Sequence, residues 1–294
     1  MATRSEIPRH WAVERRMPSP TRTGSWTAIL LAGERPGGDP LAARFKVRSK
    51  ALIRVAGISM LRRVAGTLLS VPEIGRVVIL AQEPEALMIG DAAGLEEHPR
   101  VLLARSGAGI ASSITAVAGS DLAPWPVLVT TADHALLTPA MVKEFLSAAT
   151  GHDIAVGVGE RRIVERRYPE TRRTWLKFAD GHYSGANLFA LRGEGVASAL
   201  TLWSRVEQDR KKVWKLITRF GPWLFIRVLT RTIGFQTAME HAGARFGIKV
   251  RPVVMSAPEA AIDVDKMEDF ELAEAILAGS SAVRRSLPSA TVRA

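Results

Sequence analysis

Three short stretches of this chain hold residue types able to handle phosphate or a divalent cation. In the first, Leu31-Ala32-Gly33 closes an apolar run, a loop rich in Gly, Pro and Arg follows, and Lys50-Ala51-Leu52 comes next. A glycine there lets backbone N–H groups approach phosphate oxygens, while Arg or Lys neutralises charge building up on a leaving pyrophosphate. The competing reading is a surface loop with solvated cations. The second stretch is Thr130-Thr131-Ala132-Asp133-His134-Ala135-Leu136-Leu137. A carboxylate just past a buried parallel strand lies at the sheet edge where open α/β folds bind ligands, and a hard oxygen ligand there suits Mg²⁺ on a triphosphate. A helix-capping aspartate is the alternative. The third stretch, Ala261 to Phe270, holds Asp263 and Asp265, which point to the same side of an extended segment. One can complete a metal site while the other caps the helix that follows, and capping explains Asp265 better than Asp263.

These groups need elements to position them. Ala28 to Ala32, Arg76 to Ala81, Arg100 to Ala104 and Pro126 to Thr131 are short apolar runs ended by polar loops. Helical spacing appears over Ser59 to Ser70 and from Ser112 to Ala118, so the alternation predicts βαβ units and a parallel sheet. After about residue 150 the pattern changes. Strands are predicted at Ile154 to Val158, Thr174 to Ala179, Leu188 to Leu191 and Ile248 to Val254, with a turn at Ala179-Asp180-Gly181. Val196 to about Phe246 reads as mainly helical, broken at Gly221-Pro222 and Gly234, and Lys266 to Leu277 as a closing helix. The predicted architecture is a Rossmann-like, mostly parallel mixed sheet flanked by helices, with a basic helical insertion near 196–246. One domain over 26–279 is expected, with a nucleotide-binding half at 26–150 and an acceptor half at 151–279. Residues 1–25 and 280–294, rich in Ser, Pro, Thr and Arg, read as flexible extensions.

Composition removes several classes of function. The 294 residues include no cysteine, which excludes a disulfide scaffold, thiolate metal sites and a thiol nucleophile. A 47% hydrophobic content supports a substantial core, and no apolar run is long enough to span a bilayer. The N-terminal stretch has no secretory apolar core, so a cytoplasmic protein is expected. A net charge of +11 favours an anionic partner without choosing among nucleotide, phosphorylated metabolite, nucleic acid and lipid headgroup. No Walker A motif is present. Gly107-Ala108-Gly109-Ile110-Ala111-Ser112 approaches a dinucleotide fingerprint but lacks the third glycine and the acid that should follow about 20 residues on.

Taken in order, LAG…R…KAL, TTADHALL and DVDKMEDF resemble the motifs of the MobA-like nucleotidyltransferases, a branch of the glycosyltransferase-A-type nucleotide-binding fold. The resemblance spans about 27 to 277. It implies that Leu31, Ala32 and Gly33 hold the nucleotide with Gly107, Ser112 and Ser113, from a segment (Ser106 to Ile114) that resembles the family's base pocket. It makes Lys50 and Arg35 the phosphate contacts, with Arg44 or Arg48 as substitutes for Arg35. Asp133 would act in catalysis and share Mg²⁺ with Asp263. Ser184-Gly185-Ala186-Asn187 resembles a small turn that faces the acceptor, which gives Gly185 and Asn187 an acceptor role. The implied reaction is attack of an acceptor phosphate oxygen on the α-phosphorus of an NTP, so no nucleophilic side chain is required. Cytidylyl- and guanylyltransferases both fit. A cytidylyltransferase acting on inositol phosphate or a similar polyol phosphate is closer than the molybdopterin guanylyltransferase, whose C-terminal half is more compact. Ala135 and Lys266-Met267 replace the family's usual Pro and Thr-Pro, and neither change removes a metal ligand.

Two basic regions lie outside those motifs. Residues 160–177 carry Arg161, Arg162, Arg166, Arg167, Arg172, Arg173 and Lys177 against three Glu, so an anionic small-molecule acceptor is expected: a phosphorylated polyol, sugar or lipid-headgroup precursor. Residues 203–235 interleave eight basic residues with Trp203, Trp214, Phe220, Trp223, Phe225 and Phe235. That pattern fits a core-facing helical pair, or peripheral contact with an anionic membrane at its inner face. A nucleic-acid groove also uses such interleaving, but no RNA-binding motif supports it. The reading from a different class is a catalytically silent nucleotide-binding or membrane-docking protein on the same fold.

Overall fold

The computed structural model describes residues 25–34, 37–107, 109–208 and 222–286. Its main sheet has the order β10-β7-β9-β6-β1-β4-β5, formed by β10 (Val250–Val254), β7 (Ile154–Glu160), β9 (Gly181–Leu191), β6 (Val127–Thr131), β1 (Trp26–Leu31), β4 (Ile74–Ala81) and β5 (Val101–Arg105). The short β8 (Leu176–Phe178) pairs with β9. Strand β9 runs antiparallel to β6 and β7, whereas β1, β4, β5 and β6 pair in parallel, as do β7 and β10. A two-stranded ribbon, β2 (Arg54–Val55) with β3 (Ile58–Ser59), stands apart.

The unbroken apolar text of the central strands follows from burial on both faces. Ala28 and Leu30 of β1 join one core with Leu61, Val77 and Phe145, while Ile29 between them joins the other with Val78, Ile114 and Leu200. Helices α1 (Met60–Leu69) and α3 (Pro139–Ala149) supply the first core, and α2 (Ile110–Val117) and α4 (Ala197–Gln208) the second. Local sequence sets their starts. The Ser59 hydroxyl accepts from the Arg62 amide, and the Thr138 hydroxyl accepts from Met141 ahead of Pro139.

The expected fold class is observed, and the sheet continues across residue 150 from one half to the other. Two elements differ from expectation. Strand β9 begins at Gly181, so Ser184-Gly185-Ala186-Asn187 lies inside a strand and is not a turn. The hairpin loop is two residues, with Phe178 opposite Gly181. The reason for the misreading is local: Gly and Asn favour turns, but here they sit where the β7–β9 register shifts, and Asn187 takes a φ of +48°. The final helix runs Met267–Ser286, past residue 279.

The basic–aromatic region is helical over 203–208 and Pro222–Leu229 with a turn over 230–234, and its aromatic residues divide. The Trp203 ring lies 5.5 Å from that of Phe189 against the second core, and Phe235 stacks on Tyr183 at 4.7 Å, so both belong to the interior. Trp223, on helix Pro222–Leu229, is 71% exposed. Trp214 and Phe220 lie outside the described residues. No helix among the described residues is long and apolar enough to cross a membrane.

Candidate active site

The parallel strands all end at one edge of the sheet, and a cleft of about 570 Å³ opens there. Its walls come from the ends of four strands: Ala32, Gly33 and Glu34 after β1, Gln82 after β4, Ser106 and Gly107 after β5, and Ala132 and Asp133 after β6. Strand β9 runs the other way and brings Asn187, at its register irregularity, to the same cleft. Lys50, Asp263 and Asp265 complete the floor.

The DVD segment is placed by alternation. Ile262 and Val264 are fully buried in a cluster with Leu41, Leu136 and Ala273, so the intervening Asp263 and the following Asp265 turn toward the cleft. The Val264 amide donates to the Asp133 carbonyl at 3.0 Å, which ties this segment to the β6 loop. Oxygens of Asp133, Asp263 and Asp265 all lie within 4.8 Å of one another. Three hard carboxylate donors at that spacing fit Mg²⁺.

Cations already stand among these acids. Lys50 is presented by a single 3₁₀ turn, Lys50–Leu52, which the buried Ser49 caps. Its Nζ lies 2.6 Å from Asp133 Oδ2 and 2.5 Å from Asp265 Oδ1. Burial works to lower the Lys50 pKa, but the two carboxylates together outweigh it and hold the ammonium above its ordinary value. Burial pushes the Asp263 carboxyl upward, the Arg173 guanidinium opposes that, and the charges of Asp133 and Asp265 reinforce it. The Thr131 hydroxyl donates to Asp133. His134 is 1% exposed, neither ring nitrogen has a partner among the described residues, and burial takes its pKa down to about 4. It is therefore a neutral core residue beneath the Asp133 loop.

Of the residues expected at the site, Leu31, Ala32, Gly33, Gly107 and Ser113 line the cleft with Lys50, Asp133, Asp263 and Asn187. Ser113 shapes the β5 loop: its hydroxyl accepts from the Gly107 amide and donates to the Gly109 carbonyl. Ser112 does not line the cleft, because its hydroxyl is spent on the Gly109 carbonyl inside the first helical turn. Gly185 lies on β9 away from the cleft, whereas Asn187 reaches Asp263 Oδ2 at 3.1 Å. Arg35 falls outside the described residues. Arg48 pairs with Glu83, and neither it nor Arg44 lines the cleft. Asp269 joins the start of the final helix to this segment, its Oδ2 accepting from the Asp265 and Lys266 amides.

Two residues had no signal in the sequence. Gln82 grips the backbone after Gly33: its Oε1 accepts from the Glu34 amide at 2.9 Å, and its Nε2 donates to the Glu34 carbonyl at 2.9 Å. A Cβ on Gly33 would lie 3.0 Å from that same Oε1, so a larger residue there would press on the Gln82 amide. The other is Arg173, one of seven cations expected to face the acceptor. Its side chain is 9% exposed and bonded to Asp263 and Asp269.

The profile of the MobA-like NTP transferase domain matches residues 28–219, and the chain belongs to that family of nucleotidyltransferases. A hypothetical transferase from Thermus thermophilus shares 27% identity over 84% of this chain and 99% of its own, with a TM-score of 0.69. A CMP:2-keto-3-deoxy-manno-octonic acid synthetase solved with CTP superposes with a TM-score of 0.54 at 13% identity, covering 87% of this chain and 100% of its own. The 4-diphosphocytidyl-2C-methyl-D-erythritol synthase of Anaerococcus prevotii gives 0.52 at 12%, covering 87% and 97%, and these last two likenesses concern the fold. No curated protein sequence matches the chain.

Proposed function

We propose that the protein is a Mg²⁺-dependent nucleotidyltransferase that moves an NMP from an NTP to the phosphate of a small anionic acceptor. The observation that carries this reading is the gathering of Asp133, Asp263 and Asp265 with Lys50 at the floor of the cleft. An acceptor phosphate oxygen forms a new bond to the α-phosphorus, the bond from that phosphorus to the bridging oxygen breaks, and pyrophosphate leaves with the electron pair. The backbone after β1, held by Gln82, receives the nucleotide with Gly107 and Ser113, and Lys50 offsets the negative charge that grows on the leaving group. Mg²⁺ on the three carboxylates supplies further charge neutralisation. The acceptor enters over the β7–β9 side, where Arg162, Arg166, Arg167, Arg172 and Lys177 are exposed. Such an enzyme works in the cytoplasm.

The test is thermal denaturation with CTP, GTP, UTP and ATP, each with and without Mg²⁺, followed by pyrophosphate release over phosphorylated and uncharged polyols. A Mg²⁺-dependent rise with CTP or GTP is expected, amounting to about 2.7 kcal/mol at a hundredfold excess over Kd. Turnover with phosphorylated acceptors only should follow. Binding without turnover in any combination would favour a silent nucleotide-binding protein, and no binding would overturn both.

A second reading concerns where the enzyme sits. Trp223, Ile226 and Leu229 are all exposed at three-residue spacing on helix Pro222–Leu229, with Arg227 and Arg231 beside them. Aromatic and aliphatic groups flanked by cations suit the interface of an anionic bilayer. Flotation with phosphatidylglycerol vesicles but not phosphatidylcholine vesicles, lost in Trp223→Ser, is the expected result. Equal behaviour with both lipids would sink this reading.

A further inference from the structure

The basic stretch at 160–177 is not uniform. Five of its seven cations are exposed, but Arg173 is turned inward from the irregular segment between helix Arg161–Arg167 and β8. One guanidinium nitrogen donates to Asp263 Oδ1. The other donates to the Asp263 carbonyl at 2.9 Å and to Asp269 Oδ1 at 3.1 Å. Asp269 passes the constraint on, since its second oxygen accepts from the amides of Asp265 and Lys266.

We infer that Arg173 is a positioning residue that fixes two of the three metal-binding carboxylates, Asp263 directly and Asp265 through Asp269. This rests on reading the three acids as a metal site. Both oxygens of Asp263 are oriented, Oδ1 by Arg173 and Oδ2 by Asn187. A carboxylate offers about four lone-pair sites, so each oxygen keeps one for a cation. The planar fork of arginine meets two acids and a carbonyl at once, which a lysine ammonium does not reproduce. Without it, Asp263 loses its rotamer restraint, Asp269 loses its buried partner, and the turn that presents Asp265 loosens. Three like charges would also face each other with only Lys50 between them. Arg173 touches neither the nucleotide side of the cleft nor its opening, so its effect should appear in cation affinity before it appears in acceptor binding.

The experiment is direct Mn²⁺ binding by electron paramagnetic resonance, with no nucleotide present, on the full chain and on Arg173→Ala, Arg173→Lys, Asp269→Asn and Arg172→Ala. Losing an outer partner of a metal ligand typically weakens metal affinity by about 10–100-fold. That loss is expected in Arg173→Ala and Asp269→Asn, a smaller one in Arg173→Lys, and none in Arg172→Ala, whose side chain is exposed. Turnover in the weakened variants should recover as Mn²⁺ is raised. Asp269→Asn retains an oxygen for the Asp265 and Lys266 amides, so it tests the idea if Arg173→Ala does not fold. Unchanged Mn²⁺ affinity in both, with either a lower melting temperature or a higher acceptor KM, would overturn the inference and leave the metal site standing. If the unsubstituted protein binds no Mn²⁺, the reading of the acids as a metal site fails with it.

Discussion

Lys50 Nζ lies 2.6 Å from Asp133 Oδ2 although 83 positions separate the two residues, and the same ammonium lies 2.5 Å from Asp265. The lysine comes from a 3₁₀ turn before the β2–β3 ribbon, and the acid from the loop after β6. One cation thus partners two of three clustered acids at the place where the proposed chemistry needs positive charge. When an NTP and a metal enter, Lys50 can exchange its carboxylates for phosphate oxygens.

Replacing Lys50 by Met should therefore act twice. Removing one donor to developing transition-state charge costs about 10²–10³-fold in turnover. The two carboxylates left behind repel, so the melting temperature without metal should fall and Mg²⁺ should restore much of it. Calorimetry with and without Mg²⁺ checks this, and a drop that Mg²⁺ does not mend would count against shared use of the acids.

The acids should differ in weight. Asp133→Asn and Asp263→Asn remove the two most deeply set of the three proposed ligands, and each should abolish measurable pyrophosphate release while circular dichroism stays unchanged. Asp265, the most exposed of the three, should lose less: its Asn variant should keep turnover at raised Mg²⁺. Equal losses in all three would show that Asp265 is an obligatory ligand.

Gln82→Ala should release the Gly33–Glu34 backbone. The expected result is a rise in NTP KM of up to about thirtyfold with little change in kcat, since one net hydrogen bond is worth about 1 kcal/mol and two are lost. Steady-state kinetics over NTP concentration measures this split. A fall in kcat alone would place Gln82 in the chemical step.

Alkaline stability should report on Tyr168, whose hydroxyl donates to Glu259. Burial, the hydrogen bond and the nearby carboxylate push its pKa up to about 12 from an ordinary 10. A group raised on folding contributes stability below the unfolded pKa and loses it as pH climbs toward the folded one. Between about pH 10 and 12 the unfolded chain ionises first. Tyr168→Phe should be about 1 kcal/mol less stable than the parent at pH 8. Urea midpoints should show that gap narrowing by pH 11, and a constant gap would refute the assignment.

Much of this protein was legible before folding, for identifiable reasons. Burial on both faces writes β1, β4, β5 and β6 as unbroken apolar runs, and strand-to-loop transitions mark Gly33, Gly107 and Asp133 as edge residues. The alternation Ile262-Asp263-Val264-Asp265 states by itself that the two acids share a side. Short-range rules failed where long-range contacts decide. Ser184-Gly185-Ala186-Asn187 has turn composition, yet pairing with β7 keeps it in a strand.

The sequence determined the layered sheet, the edge at which ligands meet it and the residue types present there, because each depends on local period and polarity. Tertiary structure alone decided which cation meets which anion. Arg173 and Arg172 are adjacent and chemically identical, but one is buried on Asp263 and Asp269 and the other is solvated. Asp265 and Asp269 look alike in the sequence, and only packing puts Asp269 on the Asp265 and Lys266 amides and Lys50 on the Asp265 carboxylate. Ion pairs across 80 to 215 positions carry no periodic signature, since an arginine's partner is fixed by where the backbone brings it and by burial that makes an unpaired charge costly.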